Sequence, residues 1–219
     1  MKRLILALST LALLACQQDA YDKGEGKYSL LKAELVEAHA DATKLIDYVV
    51  TDEGQQLALT QPHAAKWVTT ADSTYRALLY YNKVDDRRAE VVNMAQIPTA
   101  SILSPDDLKE PLKTDAVKLE SVWRSTTKKY VNVGIVLMTG EAPDATAKHS
   151  LAIVAQRMQV HADGKRTLAV VLHHNRNGMP EYYSMRTYFS IPIKNVEADS
   201  LQVCFHTYDG EVAKTFSVR

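Results

Sequence analysis

The stretch YSMRTYFSIPI, residues 183–193, decides the fold class because apolar and polar side chains alternate along it with a period of two. Successive side chains of a β-strand point to opposite faces of the sheet, so this alternation is typical of a strand with one buried face. The stretch therefore predicts a β-sheet protein. The face expected in the core carries Tyr183, Met185, Thr187, Phe189 and Ile191.

Six more strand candidates surround this stretch between residues 119 and 219. Asp163-Gly164 and Asp209-Gly210 each join two of them, and such dipeptides favour hairpin turns because they tolerate positive φ. Seven short strands in about 100 residues predict an immunoglobulin-like β-sandwich. The six candidates are ESVWRST (120–126), KYVNVGIVLMTG (129–140), HSLAIVAQRMQV (149–160), RTLAVVLH (166–173), LQVCFHTY (201–208) and EVAKTFSV (211–218).

Residues 28–103 contain five further strand candidates with short turns between them, including Asp52-Glu53-Gly54. They predict an OB-like five-stranded barrel, since closing a small sheet into a barrel removes its exposed edges. The Leu, Ala and Glu content of residues 28–40 leaves a helix open as the alternative there. The candidates are YSLLKAELVEAHA (28–40), the two halves of KLIDYVVTDEGQQLALT (44–60), STYRALLYYNKV (73–84) and AEVVNMAQIPTASIL (89–103).

A connection at residues 104–118 separates the barrel from the sandwich at 119–219. Ser104 is followed by Pro105 and two acidic residues, which is the order of an N-cap, a first helical position and a first turn. We expect a brief helical turn that Pro111 prevents from extending. The complete prediction is an all-β chain, with an OB-like barrel followed by a seven-stranded sandwich.

The N-terminus, MKRLILALSTLALLAC, resembles an export signal. Its apolar run is shorter than the roughly 20 residues that a membrane-spanning helix needs. Two cations, this run and a cysteine at the expected cleavage point predict a lipoprotein signal peptide at 1–15 with lipidation of Cys16. An ordinary secretory peptide with a chance cysteine is the alternative.

Residues 16–27 are polar and contain glycine, so they predict a flexible tether between the lipid and the folded part. The lipid on Cys16 makes the membrane the predicted partner. Gln17, in place of an aspartate, does not suggest retention at the inner membrane. We expect a lipid anchor in the outer membrane, with the periplasmic and surface orientations both open.

Charge argues against a nucleic-acid partner. Residues 17–115 carry 11 Lys and Arg against 17 Asp and Glu, while residues 116–219 carry 13 against 9. A nucleic-acid-binding protein needs a concentrated basic face, which this distribution does not predict. The opposite signs instead suggest attraction between two domains.

The adjacent histidines of LHHNRNGMPEYY, residues 172–183, raise the question of a metal site. Neighbouring residues of a strand point to opposite faces, so His173 and His174 cannot chelate one ion from a regular strand. We therefore predict no metal site. Asn175 and Asn177-Gly178 are expected to form the turn that follows the strand.

No nucleotide-binding or hydrolase motif is present, and the carboxylate pairs Glu34/Glu37 and Asp106/Asp107 are not distinctive. We predict a non-enzymatic protein without catalytic residues or a cofactor. Cys204, in an alternating stretch, is expected to be a buried, unreactive thiol without a disulfide partner.

No sequence pattern identifies ligand-binding residues. OB-like barrels commonly bind oligosaccharides, peptides or single strands, so Tyr75, Tyr80 and Tyr81 are candidates for a stacking surface. Packing of these rings in the barrel core is the alternative, and the sequence favours it.

RTLAVVLHHNRNGMPEYYSMRTYFSIPI, residues 166–193, resembles the signature of the NigD-like lipoproteins of Bacteroidetes. KYVNVGIVLMTG is similar to a Tyr-Leu-Asn-Ile strand of that family, and TDEGQQLALTQP (51–62) to its first-domain hairpin. The chain departs from the family pattern at residues 56–58 and 64–66. The resemblance implies an OB domain, a C-terminal β-sandwich and an envelope lipoprotein, and it brings no catalytic residues.

Two functions follow as hypotheses. The first is a non-enzymatic binding or accessory module of the cell envelope, with a glycan or a protein as its partner. The second, suggested by the bacteriocin locus after which the family is named, is an immunity or protective factor. A hydrolase is a distant third.

Overall fold

The computed structural model describes residues 30–142 and 147–219, and β-strands dominate both parts. The predicted signal peptide, the tether and Cys16 lie outside the described residues. The all-β prediction of a barrel followed by a sandwich is confirmed.

Five strands close into the N-terminal barrel in the order β1-β2-β3-β5-β4. All neighbours pair antiparallel except β3 and β5, which pair in parallel at Ala58 and Leu59. The barrel interior is apolar and includes Val36, Ile46 and Leu79. The strands are β1 (Leu31–Ala40), β2 (Leu45–Thr51), β3 (Gln56–Ala64), β4 (Thr74–Lys83) and β5 (Arg88–Gln96).

β1 is a strand, so the helical alternative for residues 28–40 is wrong. Val36, Ala38 and Ala40 are buried at every second position. The strand pairs with β2 on one side and with β4 on the other. Hydrogen bonding on both edges, which closes the barrel, overrides the helical propensity of Leu, Ala and Glu.

Eight strands form two sheets of the C-terminal sandwich, in the orders β13-β12-β10-β9-β6 and β11-β8-β7. β10 and β12 run parallel because β11, which lies between them in the chain, belongs to the other sheet. The strands are β6 (Ile102–Leu103), β7 (Lys118–Arg124), β8 (Tyr130–Thr139), β9 (Ser150–Val160), β10 (Arg166–Asn175), β11 (Tyr183–Pro192), β12 (Ser200–Thr207) and β13 (Gly210–Ser217).

The eighth strand, β6, is an addition to the seven that the sequence predicts. Its residues Ile102 and Leu103 were expected to end the last barrel strand, but they pair with β9 of the sandwich. Pro98 lies between β5 and β6 and has no N–H to donate, so the barrel ladder does not continue through it.

The predicted turns adopt the expected conformations. Gly54, Gly164 and Gly210 have φ of 88°, 79° and 113°. The connection begins with a short 3₁₀ helix, Pro105–Asp107, capped by Ser104, whose hydroxyl accepts a hydrogen bond from the Asp107 N–H. These local signals were therefore sufficient to place the chain reversals.

β11 departs from the prediction at its N-terminal end. Phe189 and Ile191 are buried in the sandwich core, as expected. Tyr183 and Met185, on the same face of the strand, are 56% and 45% exposed. The opposing sheet thus covers only the second half of this face.

Candidate functional site

His173 and His174 lie at the end of β10, and both side chains are buried. The His173 Nδ1 accepts a hydrogen bond from the Lys113 N–H at 3.0 Å. Its Nε2 therefore carries the proton and donates to the Glu110 carboxylate at 3.2 Å. Both ring nitrogens of His173 thus form hydrogen bonds to the connection.

His174 contacts another part of the same connection. Its Nδ1 donates to the Asp115 carbonyl at 2.8 Å, so its Nε2 accepts from His149 Nδ1 at 2.9 Å. Burial lowers the pKa of His174 and of His149, which favours the neutral rings that this arrangement requires. We call His149, His173, His174 and Glu110 the histidine cluster.

Backbone pairing completes the attachment of the connection. The His174 N–H donates to the Lys113 carbonyl, and the His174 carbonyl accepts from the Asp115 N–H, both at 2.9 Å. Hydrogen bonds from Ser150, Asn175 and His173 lower the pKa of Glu110 to about 2. Residues 113–115 therefore extend the sheet beside the end of β10.

The turn after β10 forms at Asn177 and Gly178 as predicted, but Asn175, expected in the turn, is the last residue of the strand. The strand continues through His174 to Asn175, and Asn177 and Gly178 then have φ of 50° and 75°. The Asn175 side chain accepts a hydrogen bond from the Asn177 N–H at 3.0 Å. Within residues 30–142 and 147–219, no three His, Cys, Asp or Glu residues are grouped so as to hold a metal ion.

Arg76 of β4 joins the barrel to the sandwich, a role that no sequence pattern indicated. Its guanidinium donates to Asp52 at 2.7 Å, to Asn132 at 3.0 Å and to Ser190 at 3.0 Å. It lies 4.3 Å from the centre of the Tyr130 ring. Arg76 is only 4% exposed. We call Arg76, Asp52, Asn132 and Ser190 the domain junction.

A second contact between the domains is an ion pair. Lys129 lies 2.7 Å from Glu37, and the Tyr130 hydroxyl donates to the same carboxylate at 2.9 Å. Burial opposes ionisation of Glu37, but these two hydrogen bonds prevail and lower its pKa. This ion pair joins Glu37 of the acidic half to Lys129 of the basic half, which is the kind of attraction that the opposite net charges of the two halves suggested.

The barrel tyrosines do not form an open stacking surface. Tyr81 is buried in the barrel core, as the alternative interpretation held. Tyr75 packs edge-on against Trp67 at 5.6 Å, and its hydroxyl accepts hydrogen bonds from Thr69 and Thr70. Tyr80 is half-buried. Cys204, expected to be buried, is only partly so, and this burial raises the pKa of its thiol.

Three tyrosines at one end of the sandwich are the exposed aromatic residues that the predictions missed. Tyr182, Tyr183 and Tyr208 are 79%, 56% and 50% exposed, and we call them the tyrosine surface. Their only signal in the sequence was position, since two of them lie four and five residues after Gly178 of the Asn-Gly turn. Loops and strand ends commonly carry binding residues.

The backbone and side chains around the tyrosine surface are well anchored. Glu181 accepts a hydrogen bond from the Tyr208 hydroxyl at 2.6 Å and pairs with Arg176 at 2.5 Å. The Tyr182 N–H donates to the Thr139 carbonyl at 2.9 Å. A Cβ on Gly140 would lie 2.5 Å from Pro180, so glycine is required for this close approach.

Solved structures from Bacteroidetes share this fold. A NigD-like immunity protein from Bacteroides caccae is 22% identical, with a TM-score of 0.64 over 84% of this chain and 91% of that one. A protein from Parabacteroides distasonis described as toxin-related is 17% identical, with a TM-score of 0.62 over 85% and 92%. A protein from Bacteroides fragilis described as a lipoprotein is 11% identical, with a TM-score of 0.58 over 86% and 98%. At these identities the likeness establishes the fold alone.

Among curated proteins, no match was found. In the part of the chain that the structure describes, no helix is long and apolar enough to cross a membrane. The model of the NigD-like C-terminal beta sandwich domain matches residues 100–218, which include all eight sandwich strands. The chain therefore belongs to the NigD-like family.

Proposed function

We propose that this chain is a non-enzymatic lipoprotein of the bacterial cell envelope that acts as a binding module. The observation that carries the proposal is the tyrosine surface, whose three side chains are half or more exposed. Tyrosine provides a large contact area with few rotatable bonds and one hydroxyl, and it is enriched at the centres of protein interfaces. The partner is an envelope protein or a glycan.

The predicted lipid on Cys16 supports the place of action. Residues 17–27 provide a tether, so the folded part would stand away from the membrane. We propose the outer membrane as the site of the anchor. In the Cys16→Ala variant, fractionation should find the protein released from membranes, and retention in the membrane pellet would reject this part of the proposal.

The binding role is tested by capturing envelope proteins and glycans on the full chain and on a variant with Tyr182→Ala and Tyr208→Ala. Both side chains are at least half exposed, so the fold should be unaffected by their removal. The double variant should lose the partner that the wild type captures. Val160→Ala, at a 66% exposed site on β9, is the control and should retain it. Equal capture by all three proteins would reject the tyrosine surface.

We propose a role as an immunity or protective factor against a bacterial toxin as the second candidate. The similarity in fold to the NigD-like immunity protein of Bacteroides caccae supports it. A strain lacking the gene should become sensitive to a toxin made by its own or neighbouring cells, and the wild-type gene should restore survival. An unchanged survival curve would reject this role and leave the binding module intact.

A further inference from the structure

The two sheets of the sandwich separate along one side, between β9 and β11. The space between them has a volume of about 320 Å³. We call this space the sandwich opening, and its walls include Leu151 and Ile153 from β9, Thr187 and Phe189 from β11, and His149.

Next to Ser190 of β11, this side of the sandwich is already filled by an extended segment of the chain, residues 98–103. Ser190 of β11 donates its N–H to the Pro98 carbonyl at 3.0 Å and accepts from the Ala100 N–H at 2.8 Å. The segment then crosses to the other sheet, where Ile102 pairs with Ile153 of β9. Residues 98–103 thus bridge the two sheets by backbone pairing.

On the N-terminal side of Ser190, no segment among the described residues pairs with the outer edge of β11. Backbone groups of a strand alternate in direction with a period of two, so the N–H and C=O of Tyr188, Arg186 and Ser184 face the same side as those of Ser190. β11 is the last strand of its sheet, and within the described residues no backbone partner meets these groups. They form an unoccupied pairing edge.

The apolar inner face of β11 is also exposed on the N-terminal side of Ser190. Tyr183 and Met185 share the face of Phe189, and they are 56% and 45% exposed. Across the opening, Leu151 shares the face of Ile153 and is 37% exposed. The apolar inner surface of the sandwich therefore extends beyond the part that residues 98–103 cover.

His149, which lines the opening, carries a buried polar atom without a partner among the residues that the structure describes. His149 Nδ1 donates to His174, so His149 Nε2 is an acceptor in the neutral ring. This Nε2 is buried, and within the described residues it receives no hydrogen bond. A buried acceptor of this kind is stabilised when a donor reaches it.

We propose that an extended segment of a partner protein adds to the outer edge of β11 and inserts alternate apolar side chains into the sandwich opening. It would continue the line of residues 98–103, pair with Ser184, Arg186 and Tyr188, and cover Met185 and Leu151. A strand added to a sheet edge gains backbone hydrogen bonds, and pockets for every second side chain give specificity. This proposal rests on the proposed binding function and names its partner class.

The test uses the full chain in detergent and heptapeptides selected on it from a random phage-displayed library. Selected peptides should alternate apolar and polar residues and should slow hydrogen exchange at the amides of Ser184, Arg186 and Tyr188. Met185→Asp should weaken their binding about ten-fold or more, because a carboxylate would enter the apolar opening. Met158→Asp is the matched control, since Met158 is 44% exposed on the far half of β9, and it should not weaken binding.

Three results would overturn the proposal. They are the selection of no peptide, equal binding to wild type and to Met185→Asp, and a wild-type dimer that protects the β11 edge without peptide. Envelope capture by Met185→Asp distinguishes this proposal from the proposed function. If Met185→Asp loses peptide binding but still captures the envelope partner, that partner binds outside the sandwich opening. If only the Tyr182→Ala, Tyr208→Ala variant loses capture, the proposed binding function still holds.

Discussion

The domain junction and the histidine cluster both attach another part of the chain to the sandwich, but they use groups of different charge. At the junction, Arg76 of the barrel carries a permanent charge and meets the Asp52 carboxylate at 2.7 Å. In the cluster, burial lowers the pKa of His174 and of His149 and so favours neutral rings, which the hydrogen bonds join through one pair of tautomers. The comparison indicates that the first attachment depends on keeping a buried charge paired, and the second on keeping two rings unprotonated.

Removal of the junction arginine should have the largest effect on stability. Arg76→Ala removes one hydrogen-bond donor from each of Asp52, Asn132 and Ser190 and leaves the Asp52 carboxylate without its charged partner. We expect the free energy of unfolding to fall by about 3–5 kcal/mol, measured by urea denaturation. Arg157→Ala, at an exposed position on β9, is the control and should change it by less than about 0.5 kcal/mol.

A double variant isolates the role of charge at the junction. Arg76→Met with Asp52→Asn removes both charges, so it should be more stable than Arg76→Ala, which leaves Asp52 unpaired. If the double variant is as unstable as the single one, packing and not charge pairing determines the strength of the junction.

The histidine cluster should have a smaller effect. His174→Phe keeps a planar ring but leaves the Asp115 carbonyl and His149 Nδ1 without partners. We expect a loss of about 2 kcal/mol in the free energy of unfolding, because each unsatisfied buried group contributes about 1–3 kcal/mol when it is fully desolvated. His206→Phe on β12, where the histidine is exposed, is the comparison and should be nearly neutral. Equal losses in both variants would contradict the assigned hydrogen bonds.

Acid should weaken the histidine cluster and leave the junction unchanged. Burial lowers the pKa of His149 and His174 below the ordinary value of 6.5. Below pH 6.5 the unfolded chain therefore binds more protons than the folded chain, and stability falls as pH decreases through and below that value. We expect urea midpoints to fall between pH 7 and pH 5.

The variant with His149→Gln and His174→Gln separates this pH effect from others. The pKa of His39 in the barrel is also lowered by burial, so part of the slope should persist in the double variant. Arg76→Ala should keep the full slope of the wild type despite its lower stability. A wild-type slope in the double histidine variant would show that the cluster does not titrate as described.

The fold was predictable because its signals are local. Alternation in residues 183–193 and the Asp-Gly turns specify strands and hairpins within a few residues of each other. The junction was not predictable, because Arg76 meets residues 24, 56 and 114 positions away. No periodicity in one sequence indicates that an arginine beside a strand's apolar residues will be buried by a second domain.

The two histidines illustrate the same limit. Strand geometry predicted that His173 and His174 point to opposite faces and hold no common metal. It could not predict that Glu110 and Asp115 of the connection would meet them, since these residues lie 63 and 59 positions away. β6 escaped prediction because two residues are too few for a period to be recognised.

The smallest effect is expected at the surface next to the cluster. Tyr208→Phe removes the hydroxyl that donates to Glu181 at 2.6 Å, while the ring stays 50% exposed in the wild-type position. Glu181 keeps Arg176 as a partner at 2.5 Å, so no group is left buried without a hydrogen bond. We expect a loss of less than about 1 kcal/mol, seen as a small shift of the thermal midpoint. A loss as large as that of His174→Phe would mean that Glu181 and Tyr208 are coupled to the histidine cluster. In that case, the losses of stability in the double variant Tyr208→Phe with His174→Phe would not be additive.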